Sequence, residues 1–208
     1  EIIAKYKNIW ERDLDVELVV GGEGEQQADS LSELLTTFPI AMMVIFALLA
    51  IPLKSYVQPL IIMSVIPFGA IGAVFGHFIM GADLVFFSIL GIIALSGVVV
   101  NASLVLVISI NRLREEGMGM VEAVSRAGMM RFRPIVLTSV TTFIGLVPLM
   151  GTANPATFFI IPMAISLAYG VLFATVITLF LIPSLYVMLH DFKGHTDTAE
   201  ERALAYQH

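Results

Sequence analysis

The sequence predicts an all-α membrane protein: a bundle of five transmembrane helices plus an amphipathic cytoplasmic helix, with a small α/β remnant of a water-facing domain at the N-terminus. Three observations predict it. First, the 208 residues are 58% hydrophobic and 13% charged, with mean hydropathy +0.91, whereas soluble domains sit near ~45–50% apolar and ~25% charged. Second, the charge is segregated. Between Ser55 and Asn111 the only formal charge is Asp83, and none occurs from Pro134 through His190. Third, Lys and Arg fall in alternate connections between the apolar stretches. Lipid is the solvent for most of this chain.

The first segment, residues 1–33, has a soluble character. Ile3, Tyr6 and Trp10 recur at helical spacing, and Asp15 to Val20 reads as a short strand ending at Gly21-Gly22. Nine of the 17 acidic residues lie in these 33 positions, so the net charge of −6 describes one end of the chain and is no nucleic-acid signature. Gln26 to Thr37 is a polar helix whose Leu31, Leu34 and Leu35 lead into the bilayer. The chain opens on Glu1-Ile2-Ile3-Ala4-Lys5, with neither an initiator Met nor a leader pattern, and is expected to be part of a longer protein.

A hydrocarbon core of about 30 Å needs roughly 20 helical residues at about 1.5 Å each. The transmembrane domain, residues 34–192, holds five such segments: about 34–53, 59–80, 84–110, 135–150 and 158–189. Pro52 and Lys54 close the first. Gly81-Ala82-Asp83 is long enough only for a tight turn, so the second and third form a hairpin. The longest connection carries an interfacial helix over about 112–133, where Met120, Val121, Val124, Ala127 and Met130 share a face, with Glu122 and Arg126 elsewhere. Residues 193–208 form a tail.

Orientation follows the Lys and Arg distribution. Lys54, then Arg112, Arg114, Arg126, Arg131 and Arg133, then Lys193 mark one side as cytoplasmic; Met80–Asp83 and Gly151–Thr157 carry neither residue. The N-terminal segment and the tail then lie on opposite sides, as an odd number of crossings requires. Zero Cys excludes disulfides and thiolate metal sites. No GxSxG or HExxH motif is present, so no catalytic residues, metal ligands or cofactors are expected, and the chain is not read as an enzyme.

Four blocks of sequence carry a resemblance. Lys54-Ser55-Tyr56-Val57-Gln58-Pro59-Leu60 with Ile66-Pro67-Phe68-Gly69-Ala70-Ile71-Gly72-Ala73 is the first pair. Gly91-Ile92-Ile93-Ala94-Leu95-Ser96-Gly97-Val98-Val99-Val100-Asn101 and Arg131-Phe132-Arg133-Pro134-Ile135-Val136-Leu137-Thr138-Ser139 are the others. In order and spacing they resemble the RND (resistance-nodulation-cell division) superfamily of multidrug efflux transporters, in its hydrophobe/amphiphile (acriflavine-resistance) branch. The Gly21-Gly22-Glu23 turn is similar to the end of that family's periplasmic porter domain. The resemblance implies a multi-pass protein of the bacterial inner membrane, the last five of twelve helices, working as a homotrimer by proton antiport. It implies as partners the first half of the same transporter, a periplasmic adaptor, an outer-membrane channel and the surrounding lipids. No nucleic acid is implied.

The same resemblance suggests a proton relay at Asn101 and Thr138, facing acids on the first half. Many members have a Lys just before Asn101; here Val100 stands there and cannot hold a charge, so Asn101 can only orient an acid or a water. The alternative for Asn101 is an interhelical packing amide, and for Thr138 a bond back to its own carbonyl ladder. Ser96, Ser103, Ser139, Thr141 and Thr142 read as packing residues. His77 and Asp83 read as boundary groups reached by water. Gly69, Gly72 and Gly76 form a small-xxx-small face for helix packing, and Pro67, Pro148, Pro162 and Pro183 are expected to bend their spans. Met118, Met120, Met129 and Met130 read as apolar fill, not a soft-metal site, and the Arg residues as topogenic. Three functions compete: export of drugs or other amphiphiles, transport of another substrate (metal ion, lipid or exported protein) within the same superfamily, and a non-transporting membrane scaffold.

Overall fold

The computed structural model describes residues 22–151, 157 and 159–205, and every regular element among them is helical. The expected strand over 15–20 and the helical repeat of Ile3, Tyr6 and Trp10 lie outside the described residues. The chain divides into two compact units, 1–41 and 42–208. The described part of the first is the leading portion of helix α1 (Glu23–Leu53), polar through Glu33.

The second unit holds the end of α1, then α2 (Val57–Met63), α3 (Ile66–Met80), α4 (Phe86–Glu115), α5 (Met120–Met150) and α6 (Ile160–Ala205). Among the described residues five stretches are long and apolar enough to cross a bilayer: Gln26–Leu53, Val57–Met80, Phe86–Glu115, Met120–Met150 and Ile160–Leu189, here called spans one to five. Span two is interrupted at Ser64-Val65. Pro67 has no N–H to return to the Met63 carbonyl, so the ladder breaks one turn before it. The α3–α4 connection is the predicted tight turn: Gly81 caps α3 in the left-handed region at φ 63°, and the Ala82 N–H donates to the His77 carbonyl at 3.0 Å.

Two features differ from expectation. The segment 112–133 is not a separate interfacial helix. Arg112 to Glu115 finish α4, residues 116–119 turn, and α5 then runs unbroken for 31 residues through Pro134. A proline inside a membrane helix removes one ladder bond, and neighbouring helices offset that loss. The inward face of this part of α5 is Ala123, Val124 and Ala127, while Val121 and Met130 point outward at 68% and 58% exposure. Second, α6 runs from Ile160 to Ala205 without a break between span and tail.

Helix α6 is the central element, contacting α3, α4 and α5. Its buried residues Ile165, Ala168, Val171, Ala174, Thr178, Ile182 and Tyr186 recur every three or four positions, as one helix face requires. Contact with α3 is close: a methyl group at Gly72 would overlap Phe173, and one at Gly76 would overlap Tyr169. On α4, a methyl group at Gly91 would lie 2.6 Å from the Met163 carbonyl and 2.7 Å from Ser166 Cβ.

Polar groups tie spans two, three and five at both ends, half-buried for the most part at one and buried at the other. At the end bearing Lys54 and Arg112, the Gln58 and Asn111 amides exchange hydrogen bonds at 3.2 and 2.9 Å, and the Tyr186 hydroxyl donates to Asn111 Oδ1 at 2.9 Å. At the other end His77, 2% exposed, sits beside Ser88 and Ser166, and its tautomer follows from its partners. Nδ1 donates to the Ala73 carbonyl at 3.0 Å, so Nε2 accepts from the Ser88 hydroxyl at 2.8 Å. Ser88 Oγ in turn accepts the Val85 N–H at 3.1 Å, and the Ser166 hydroxyl donates to the Ser88 carbonyl at 2.9 Å. His77 is therefore not the water-reached boundary group expected; Asp83, in the turn, is exposed. Tyr186→Phe, which deletes one of these bonds and keeps the ring, should lower stability by about 0.5–1 kcal/mol. Thermal unfolding in detergent checks this; an unchanged or raised midpoint counts against the contact.

Candidate functional site

Polar residues of spans three, four and five converge on one cavity of about 190 Å³. Helix α4 contributes Asn101, helix α5 contributes Arg131, Thr138, Ser139 and Thr142, and helix α6 contributes Thr175 and Thr178; Val98, Val105, Ile135 and Val171 are among the apolar residues between them. The two residues singled out from the sequence, Asn101 and Thr138, thus line the same cavity from adjacent helices. Gly69, Gly72 and Gly76 do not; they lie on the α3 face toward Leu95, Phe173 and Tyr169. Val100 is 6% exposed and lies in the apolar core.

Four of the lining hydroxyls share one chemical property. Thr138 Oγ1 donates to the Pro134 carbonyl at 2.8 Å, Thr142 to the Thr138 carbonyl at 2.8 Å, and Thr175 to the Val171 carbonyl at 2.7 Å. Ser139 bonds the Ile135 carbonyl at 3.0 Å and also meets Thr175 across the α5–α6 contact. In these four residues each hydroxyl hydrogen is engaged by the backbone or by the other hydroxyl of the Ser139–Thr175 pair, so what they offer the cavity is oxygen lone pairs.

Arg131 supplies the one formal charge in the lining. It is half-buried, and its Nε donates to Ser109 Oγ at 2.6 Å; Ser109 in turn donates to the Val105 carbonyl at 2.9 Å. No carboxylate among the described residues lines the cavity. Asn101 is exposed and makes no hydrogen bond among the described residues. Hydroxyls and amides carry no formal charge, so Arg131 is the charged group among the described lining residues. The arrangement can orient an acid, a water or a charged group brought to it.

Arg131, Thr142, Thr175 and Thr178 were not singled out as site residues, although a signal was present. Arg131, Thr138 and Thr142 fall on one helix face, a polar stripe that enters the span from its charged end; nothing comparable marks Thr175 or Thr178. The Met residues expected as apolar fill are outward-facing at 129 and 130, with 71% and 58% exposure. Among the described residues no group of three or more His, Cys, Asp or Glu could hold a metal ion.

Comparison with known proteins places this architecture. Among the solved structures that share the fold are two of a heavy metal efflux pump, in two crystal forms. One is 24% identical with a TM-score of 0.73 over 91% of this chain; the other is 26% identical with a TM-score of 0.72 over 90%. The chain spans 19% of the length of each. Residues 8–190 match the AcrB/AcrD/AcrF family. With five apolar membrane-length helices and a match across most of its length, this chain is a multi-pass membrane segment that belongs to the AcrB/AcrD/AcrF family of the RND superfamily.

Proposed function

We propose that this chain forms part of a proton-driven secondary transporter of the bacterial inner membrane that exports drugs or other amphiphilic compounds, with Asn101 and Thr138 serving the proton relay. The observation that carries the reading is the cavity itself: a guanidinium, an unpaired amide and a row of hydroxyl oxygens gathered within apolar spans, with no acid among them. Polar groups at membrane depth are costly and usually functional. The complementary acid then comes from another part of the transporter, in a homotrimer coupled to a periplasmic adaptor and an outer-membrane channel. One charge crossing about 100 mV yields about 2.3 kcal/mol, and a hundredfold solute gradient costs about 2.7 kcal/mol. One or two protons per cycle therefore suffice.

A second reading, export of metal ions, is favoured by the likeness to a heavy metal efflux pump solved in two crystal forms. Expression of the intact transporter in a host lacking its own efflux pumps separates the two. Amphiphile export predicts raised resistance to lipophilic cations and detergents with metal sensitivity unchanged; the reverse pattern supports metal cargo, and resistance to neither supports the scaffold alternative.

For the relay, Asn101→Leu and Thr138→Val should each reduce proton-linked transport in proteoliposomes by about tenfold, equivalent to ~1.4 kcal/mol, while leaving the unfolding temperature nearly unchanged. Full transport by both variants would remove these residues from the relay.

A further inference from the structure

We infer that Ser103 and Thr178 hold a buried water molecule between α4 and α6, at the inner wall of the cavity. The first observation is that these two hydroxyls lack partners. Ser103 is fully buried, and its Oγ has no hydrogen-bond partner among the described residues. Thr178 is 1% exposed, lines the cavity, and makes no hydrogen bond among the described residues. Other interior hydroxyls use a carbonyl three or four residues back on their own helix, as Ser96, Ser109, Ser139 and Thr175 do. Ser103 and Thr178 forgo that bond, and an unpaired hydroxyl in apolar surroundings is costly.

The second observation is register. Where α4 and α6 meet, Asn111 accepts from Tyr186, 75 positions on. The same offset recurs toward the other end, where a Cβ on Gly170 would overlap Leu95. The two helices therefore run parallel and in step between these contacts. Ser103 and Thr178 have that offset too and lie midway between them, so they stand at one level of the contact. The neighbouring levels, Val99 with Ala174 and Val107 with Ile182, are apolar and buried. Two unpaired hydroxyls thus form a single polar rung in an apolar stretch.

The third observation concerns what can reach this rung. The chain spans 19% of the length of the matched structures, so other parts of a transporter can cover its outward faces. They cannot approach Ser103 Oγ, which is already enclosed by this chain. Its partner has to be small and come from within. The adjoining cavity of about 190 Å³ has room for water. A water on the rung bonds both hydroxyls and keeps hydrogens for the cavity, which Thr138, Ser139, Thr142 and Thr175 do not offer. The site does not depend on what the transporter carries or on its coupling ion.

Water-to-protein polarisation transfer in solid-state NMR of the intact transporter in lipid bilayers tests this. Ser88 is the reference, being equally buried but partnered by His77 and the Val85 N–H. The β-carbons of Ser103 and Thr178 should gain water magnetisation severalfold faster than that of Ser88. Thr178→Val should slow Ser103 to the Ser88 rate. A Ser103 no faster than Ser88 overturns the proposal, as does one whose rate Thr178→Val leaves unchanged. Thermal unfolding gives an independent readout. With one shared water, Ser103→Ala and Thr178→Val each lower the midpoint, and the double variant falls by less than the two shifts added together. An unchanged or raised midpoint for Ser103→Ala means that no water is bound there, and shifts that simply add mean that none is shared; either result rejects the site.

Discussion

Gly76→Val should lower the unfolding free energy by about 3 kcal/mol, at the upper end of what overpacking a well-filled interior costs. A Cβ at this position would overlap Cβ and Cγ of Tyr169. These are the root of that side chain, so no rotamer change relieves the clash and the α3–α6 contact has to open. The ring of Tyr169 is further held edge-to-face against Phe143, with centroids 5.4 Å apart, which ties the same displacement to α5. Gly97→Ala is the control: a methyl group there meets nothing within 4 Å, and exchanging glycine for alanine in a helix favours the helix by up to about 1 kcal/mol. Thermal unfolding of the intact protein in detergent should show a large drop for the first variant and none for the second. Equal midpoints would mean that α3 and α6 do not approach as described.

The spans were legible in the sequence because lipid enforces a simple rule: a stretch of roughly 20 residues without charge can be satisfied only as a helix. The hairpin at Gly81-Ala82-Asp83 was legible for a similar reason, three residues allowing nothing longer than a turn. The start of span four was not. Arg126, Arg131 and Arg133 together with Pro134 looked like a boundary, yet the helix passes through them, because cations at the end of a span can keep their heads near water while the backbone continues. His77 was misplaced because its burial depends on Ser88, 11 residues on, and on Ser166, whose hydroxyl bonds the Ser88 carbonyl; neither is visible in its immediate neighbourhood. The candidate site was half legible. Asn101 stood out as an amide among Val residues, and Thr138 followed from a resemblance. Thr175 and Thr178 join them only because α6 folds back across α4 and α5, a long-range fact that local spacing does not contain.

Arg131 is where the two roles of an arginine part, and Arg131→Met should separate them. A purely topogenic arginine needs only to remain on its side of the membrane, and Arg126 and Arg133 next to it would preserve that bias. The structure instead places Arg131 in the cavity lining, bonded to Ser109 of the neighbouring helix, while Arg126 and Arg133 are exposed. Met matches much of the stem and removes the charge. Because Met keeps the packing of the stem and Ser109 keeps its own bond to the Val105 carbonyl, the substitution should leave thermal stability nearly unchanged. On the proposed reading, proton-linked transport should nevertheless fall by about a hundredfold, ~2.7 kcal/mol, since an acid brought to the cavity by another part of the transporter would lose a fixed counter-charge. Arg131→Lys should retain part of the activity, as an ammonium keeps the charge without the planar fork. Ser109→Val, which removes only the partner of Nε, should reduce transport less than Arg131→Met does. The discriminating result is the sign of the two readouts taken together. Transport lost with stability intact assigns the guanidinium to the transport cycle. Transport retained at the native rate returns Arg131 to a topogenic role, and loss of both assigns it to the folding of the α4–α5 contact.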